Sequence, residues 1–299
     1  REAARAAYLR SLTLVRDKQS IVDRLERAAI MEIQIDLHRS PIADSPPRDP
    51  TAPHGPLHVV FFHADVNSTG NTEMMTADYH RLIANAAAVA RHKTNARIVL
   101  LTDQRTPVDS SLGVDQVVRD DVELQHLMFE RMRRQRAYLS GVAGANILFL
   151  DVDTLINRNP LAVFDGTFDV GLVYRHDIPE APFNGGIIFA RAGDRAMRFF
   201  DIALDCYRQL ENAPATRTRF PAGIRRWWGD QLALAATVGW DAFANRRSDW
   251  LTVENAVVRC FPESDYGRVI RPDIPVGLLD LGRAWLVHFK GDRKLGSDR

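Results

Sequence analysis

From residue 57 onward, apolar runs of strand length alternate with stretches of helical spacing, and few folds accept that alternation. The runs are LHVVFF, ARIVLL, ILFL and FDVGLVY, and the helical stretches lie near 75–92 and 123–142. The runs have the length of buried strands, and the stretches between them are long enough to return the chain to a parallel neighbour. An α/β fold is therefore expected, with a mostly parallel sheet covered by helices on both faces. FNGGIIFA, a helix near 194–211, an irregular Arg-rich segment over 211–228, a helix near 230–238 and a last strand WLVHF complete the order.

The chain before residue 57 reads differently. Residues 1–40 place Leu9, Leu12, Val15, Val22, Leu25, Ala29 and Ile33 at helical spacing among many charges. A helical segment is expected there, packed on the main domain or pairing with a second copy as a homo-oligomer. Acids alternate with bases in it, which argues against a membrane-surface helix. Residues 41–56 hold Pro41, Pro46, Pro47, Pro50, Pro53 and Pro56 and read as an extended linker. The main domain is then 57–299.

Composition narrows the function classes. With 45% hydrophobic and 26% charged residues the chain is of the globular class. Its apolar runs are far shorter than the ~18 residues of a membrane span. A net charge of +1 provides no global field for nucleic acid. Cys206 and Cys260 offer at most one bridge, as in a cytosolic protein. A cytoplasmic location is expected.

Open α/β sheets bind ligands beyond the carboxyl ends of their strands. Two of the strands named above run into polar clusters: LHVVFF into HADVN, and ILFL into DVDT. Two carboxylates one residue apart at a buried strand's exit fit two chemistries. One resembles the haloacid-dehalogenase-type phosphatases, whose hhhhDxDxT motif supplies a nucleophile, a general acid and a Mg²⁺ site. Those chains open with the motif, whereas here a strand–helix–strand unit precedes it, and no later acidic pair can be placed. The other chemistry is sugar transfer, in which the two aspartates hold Mn²⁺ or Mg²⁺ against the diphosphate of a nucleotide-sugar donor. The last strand favours it, because WLVHFKGDRK carries His288, Gly291 and Lys294 as H-x-x-G-x-x-K. An imidazole is a good third ligand for Mn²⁺, the glycine admits a phosphate, and the ammonium meets its charge. The chain has only four lysines among its 39 basic residues, and Lys290 and Lys294 both fall beside His288.

On these motifs the sequence resembles glycosyltransferase family 8, the glycogenin and lipopolysaccharide-galactosyltransferase group of GT-A fold, over residues 57–294. The resemblance implies a transferase using a UDP-sugar donor and a glycan or glycolipid acceptor, with retention of the anomeric configuration. It further implies a bacterial cytoplasmic enzyme, peripheral to the inner face of the membrane where the acceptor is a lipid. HADVN implies Asp65 against the uracil and Asn67 near the ribose. The helix RRQRAYLSGVAGANILFLDVD, counted back from Asp151, implies Arg134 at the donor sugar and phosphate, with Arg136 where the family has lysine. FNGGIIF implies Asn184 at the sugar. WWGDQLAL implies Asp230 on a sugar hydroxyl and Gln231 beneath the anomeric carbon. Asp151, Asp153 and His288 are the implied metal ligands, and Gly291 and Lys294 the implied diphosphate contacts. The closing Pro-Trp common in the family is replaced by Leu295 and Gly296, and HADVN has valine where a second aspartate is common.

Gln231 is a poor nucleophile, so a lasting covalent intermediate is not expected. A domain that binds sugar nucleotides without turnover would be expected to lose a metal ligand or the lysine, and neither is missing. The 211–228 segment mixes Arg217, Arg219, Arg225 and Arg226 with Phe220, Trp227 and Trp228. It reads as an acceptor platform for a glycan carrying negative charge.

Overall fold

The computed structural model describes residues 55–65, 78–175, 182–212, 222–239, 249–270 and 281–289, with backbone alone over 222–227. The helical segment expected at 1–40 and the linker up to residue 54 lie outside the described residues.

The elements in chain order are β1 Leu57–Phe62, α1 Tyr79–Lys93, β2 Arg97–Thr102, β3 Gln116–Arg119, α2 Leu127–Ser140, β4 Asn146–Leu150 and β5 Thr154–Ile156. There follow β6 Val170–Tyr174, β7 Phe183–Arg191, α3 Asp194–Asn212, α4 Ala222–Val238, β8 Trp250–Val253, β9 Ala256–Pro262, the short α5 Glu263–Tyr266, β10 Arg268–Ile270 and β11 Leu286–Phe289. An eight-stranded sheet has the order β3-β2-β1-β4-β7-β6-β9-β8. The β3-β2-β1-β4 half is wholly parallel, and so is the β6–β9 pair. β7 enters antiparallel between β4 and β6. A second sheet, β10-β11-β5, has three short strands.

The expected α/β architecture is thus present, and the period of the strands explains its two cores. On β4, Ile147 and Phe149 face a core with residues from α2, α3 and α4, while Leu148 and Leu150 face the other, which takes in α1. Both faces are apolar because both are covered. α1 begins where the Asp78 carboxylate accepts from Arg81 N–H at 3.1 Å, and it ends on Arg91, His92 and Lys93, a basic last turn that suits the helix dipole.

One expectation is corrected. The segment over 211–228 is not irregular throughout, because α3 runs to Asn212 and α4 already begins at Ala222, well before 230. A proline just before a helix and a glycine in its first turn are compatible with a helix start. Residues 213–221, with Arg217, Arg219 and Phe220, lie outside the described residues.

Candidate active site

β4, buried along its length, delivers Asp151 to the carboxyl edge of the large sheet beside the end of β1. There the chain turns, Thr154 N–H donating to Asp151 C=O at 3.0 Å, and β5 starts at once. Asp153 therefore stands where the two sheets meet. β11 pairs antiparallel with β5 in a register that sets His288 opposite Thr154, and Phe289 N–H donates to Asp153 C=O at 2.9 Å. That register brings His288 Nε2 to 3.1 Å from Asp153 Oδ1, with both side chains buried. Ligand atoms of Asp151, Asp153 and His288 all lie within 4.8 Å of one another. Two carboxylates and an imidazole so spaced are a donor set that fits a divalent ion such as Mn²⁺ or Mg²⁺.

β7 makes room for these carboxylates. Its register on β6 passes from Leu172↔Ile188 to Val173↔Asn184, so Gly185, Gly186 and Ile187 are left out of the pairing. A Cβ on Gly186 would lie 2.5 Å from Asp151 Cγ. One on Gly185 would lie 2.8 Å from Arg131 Nη2 and run into the Asp230 carboxylate. Asn184 spans the bulge, its Oδ1 accepting from Gly186 N–H at 3.0 Å while its Nδ2 sits 3.3 Å from His288 Nδ1. The structure thus joins Asn184 to the predicted metal cluster.

Arg131, from α2, ties Asp151 to Asp230 of α4. Its Nη1 donates to Asp151 Oδ1 at 2.6 Å and its Nη2 to the Asp230 carboxylate. Burial opposes the charge of Arg131, but Asp230 and Asp151 outweigh it and hold the guanidinium protonated. Burial raises the Asp230 carboxyl above its ordinary range, against the pull of Arg131. Gln231, the next residue, turns its Oε1 to Arg175 Nη2.

Arg134, the arginine that counting back from Asp151 selects, lies one turn further along α2. It makes an ion pair with Asp120 at 2.6 Å and donates to Asp121 C=O, so it braces the chain after β3. Among the described residues it makes no polar contact with Asp151 or Asp153. Arg136 pairs with Asp201 of α3 at 2.8 Å. Asp65 lies just past β1, its N–H donating to Thr106 Oγ1 at 2.8 Å. Thr106 in turn bonds to Asp103, at the end of β2. Asn67, Gly291 and Lys294 lie outside the described residues.

The sequence reading missed Arg131, Arg175 and the glycine pair. Arg131 had a signal, since it shares a side of α2 with Leu127, Met128 and Tyr138 at helical spacing, where an arginine is costly unless paired. The glycine pair also had one, since Gly185 and Gly186 interrupt the apolar run of FNGGIIF, as glycines do at a bulge or a close backbone approach, whereas no motif singles out Arg175.

Residues 97–239 match the family model described as nucleotide-diphospho-sugar transferase. The matched span contains Asp151, Asp153, Arg131, Asn184, Asp230 and Gln231, while Asp65 and His288 fall outside it. No curated protein matches the chain. None of the described helices is long and apolar enough to cross a membrane. The match supports a sugar transferase of the GT-A-like kind, a fold with which the large, mostly parallel sheet and its flanking helices agree.

Proposed function

We propose that this chain is a metal-dependent glycosyltransferase that moves a hexose-type sugar from a UDP-sugar to a hydroxyl of a glycan or glycolipid. We further propose retention of configuration, following the pattern of glycosyltransferase family 8, and a cytoplasmic setting. The reading rests on one observation above all, the convergence of Asp151, Asp153 and His288 at the carboxyl edge of the sheet.

Asp151, Asp153 and His288 would hold Mn²⁺ or Mg²⁺, which supplies positive charge toward the leaving diphosphate. Arg131 keeps Asp151 in place and is itself anchored by Asp230. Asp65 is assigned to the uracil and Asn67 to the ribose. Asn184 orients His288 and borders the sugar, and Gln231 lies beneath the anomeric carbon. Gly291 and Lys294 complete the diphosphate contacts, the ammonium acting most as charge builds on the leaving group. Arg225 and Arg226 remain the proposed contacts for an anionic acceptor.

The test is UDP release from a panel of UDP-sugars with Mn²⁺, with Mg²⁺ and after chelation. The reading expects release that needs the metal and is abolished in Asp153→Asn and His288→Ala. A phosphatase would instead free phosphate from a small phosphoester. A binding module would release nothing while still gaining thermal stability from UDP. Either result overturns the proposal.

A further inference from the structure

A carboxamide has an acceptor end and a donor end, and in Gln231 the acceptor end is taken by Arg175. A guanidinium carries donors only. Arg175 Nη2 donates to Gln231 Oε1 and, at 2.9 Å, to Phe183 C=O. The arginine is fixed at the end of β6, where its backbone N–H donates to Pro182 C=O at 2.7 Å and its side chain is buried. Turning the Gln231 amide over would set NH₂ against N–H, donor against donor, and lose that hydrogen bond. With the oxygen held by Arg175, the end of the amide left for other partners is its NH₂.

We propose that Arg175 is a positioning residue that holds Gln231 with its amide nitrogen toward the reacting sugar. Gln231 then serves the reaction as an N–H donor to an oxygen of the donor substrate, and its own oxygen forms no bond to the anomeric carbon. This rests on the transferase reading above. It adds a constraint to that reading: a donor under the sugar stabilises negative charge on a departing or incoming oxygen, whereas an acceptor there would stabilise positive charge on carbon.

The substitution Gln231→Glu separates the two. An ionised carboxylate offers no donor, while its protonated form offers an O–H. Among the described residues, the charged groups in contact with Gln231 are Arg175, from the end of β6, and Asp230, which accepts from the Gln231 backbone N–H and is already bridged by Arg131. Arg175 therefore governs the new carboxyl and holds it ionised. At pH 7.5 Gln231→Glu should release UDP about 100-fold more slowly than wild type. Its activity relative to wild type should recover as pH falls. Adding Arg175→Met should move that recovery upward by about one pH unit or more, whereas adding Arg175→Lys, which keeps a charge, should not. Thermal midpoints give a readout that needs no turnover. The carboxylate should stabilise the protein above pH 5 when Arg175 is present and destabilise it there when Arg175 is methionine. An active wild type whose Gln231→Glu variant shows no pH-dependent recovery, or the same recovery without Arg175, overturns this proposal. A wild type that releases no UDP from any donor sinks the transferase reading itself.

Discussion

The Asp151 carboxylate lies against the Cα of Gly186, so close that an added Cβ would sit 2.5 Å from Asp151 Cγ. Asp151 N–H also donates to Gly186 C=O at 2.8 Å, so the two backbones cannot separate without breaking a ladder contact. The first aspartate of the DVD string can therefore take its place only because the facing strand has no side chain there.

Gly186→Ala should consequently act on the proposed metal site before it acts on the fold. The overpacking should cost about 1–3 kcal/mol of stability. Displacing Asp151 should weaken Mn²⁺ affinity by about 10–100-fold, the scale seen when a supporting group around a metal is altered. Calorimetric Mn²⁺ titration in the presence of UDP, with far-ultraviolet circular dichroism as the fold control, measures both. Unchanged Mn²⁺ affinity would show that Asp151 does not need this approach.

Arg131 should be the most costly of the site residues to remove. Its loss leaves Asp230, 1% exposed, without its cation. Breaking a buried pair in this way costs about 3–5 kcal/mol. In urea unfolding, Arg131→Met should fall by that amount, and Arg131→Met with Asp230→Asn should recover part of it because the second change removes the stranded charge. Simple additivity of the two would mean that they do not act as a pair.

Much of the frame could be read directly from residue order. LHVVFF, ARIVLL, ILFL and FDVGLVY each became a strand because a sheet covered on both faces demands continuous apolar runs. The ends of two of them pointed to Asp65 and Asp151. His288 stands out through its motif, but its partner does not, since the pairing of β11 with β5 depends on strands of four and three residues, too short to carry a period. The arginine that meets Asp151 lies one helical turn before the one that the motif singles out. Counting back from Asp151 measures sequence, whereas contact depends on how α2 lies across β4, and that brings Arg131 to the aspartate and turns Arg134 toward Asp120. Pro221 and Gly223 suggested an irregular segment, yet the same residue types also mark where a helix begins.

His63 should make the protein sensitive to mild acid. Burial lowers its pKa to about 4, against the raising influence of Asp65 and Asp103. An unfolded histidine titrates near ~6.5. Between those values the unfolded chain binds the extra proton, so stability is full above pH ~6.5 and declines as pH falls toward 4. His63 stacks on Tyr79 with ring centroids 4.8 Å apart, a contact that phenylalanine can keep. Thermal midpoints at pH 7.5 and 4.5 should therefore differ less in His63→Phe than in wild type. Equal acid shifts in the two proteins would mean that His63 titrates normally in the folded state.

Gly229 fixes how close α4 comes to α3, and so where Asp230 and Gln231 stand. A Cβ on Gly229 would lie 2.5 Å from Tyr207 Cζ and 2.7 Å from its Cε2. Tyr207 is buried, and its ring also meets Phe129 edge-on at 5.3 Å, so it has little freedom to retreat. In an unconstrained helix interior, alanine in place of glycine stabilises by about 1 kcal/mol. Here the steric term should reverse the sign: Gly229→Ala is expected to destabilise by about 1–3 kcal/mol. It should also slow UDP release, because α4 carries Asp230 to Arg131 and Gln231 to Arg175. Tyr207→Leu alone should be destabilising, since it empties part of a packed site. Placed on top of Gly229→Ala it should cost much less, because the space it opens receives the new methyl group. Chemical denaturation of the four proteins measures the coupling. A raised midpoint for Gly229→Ala alone would mean that the two helices have the clearance that this packing denies.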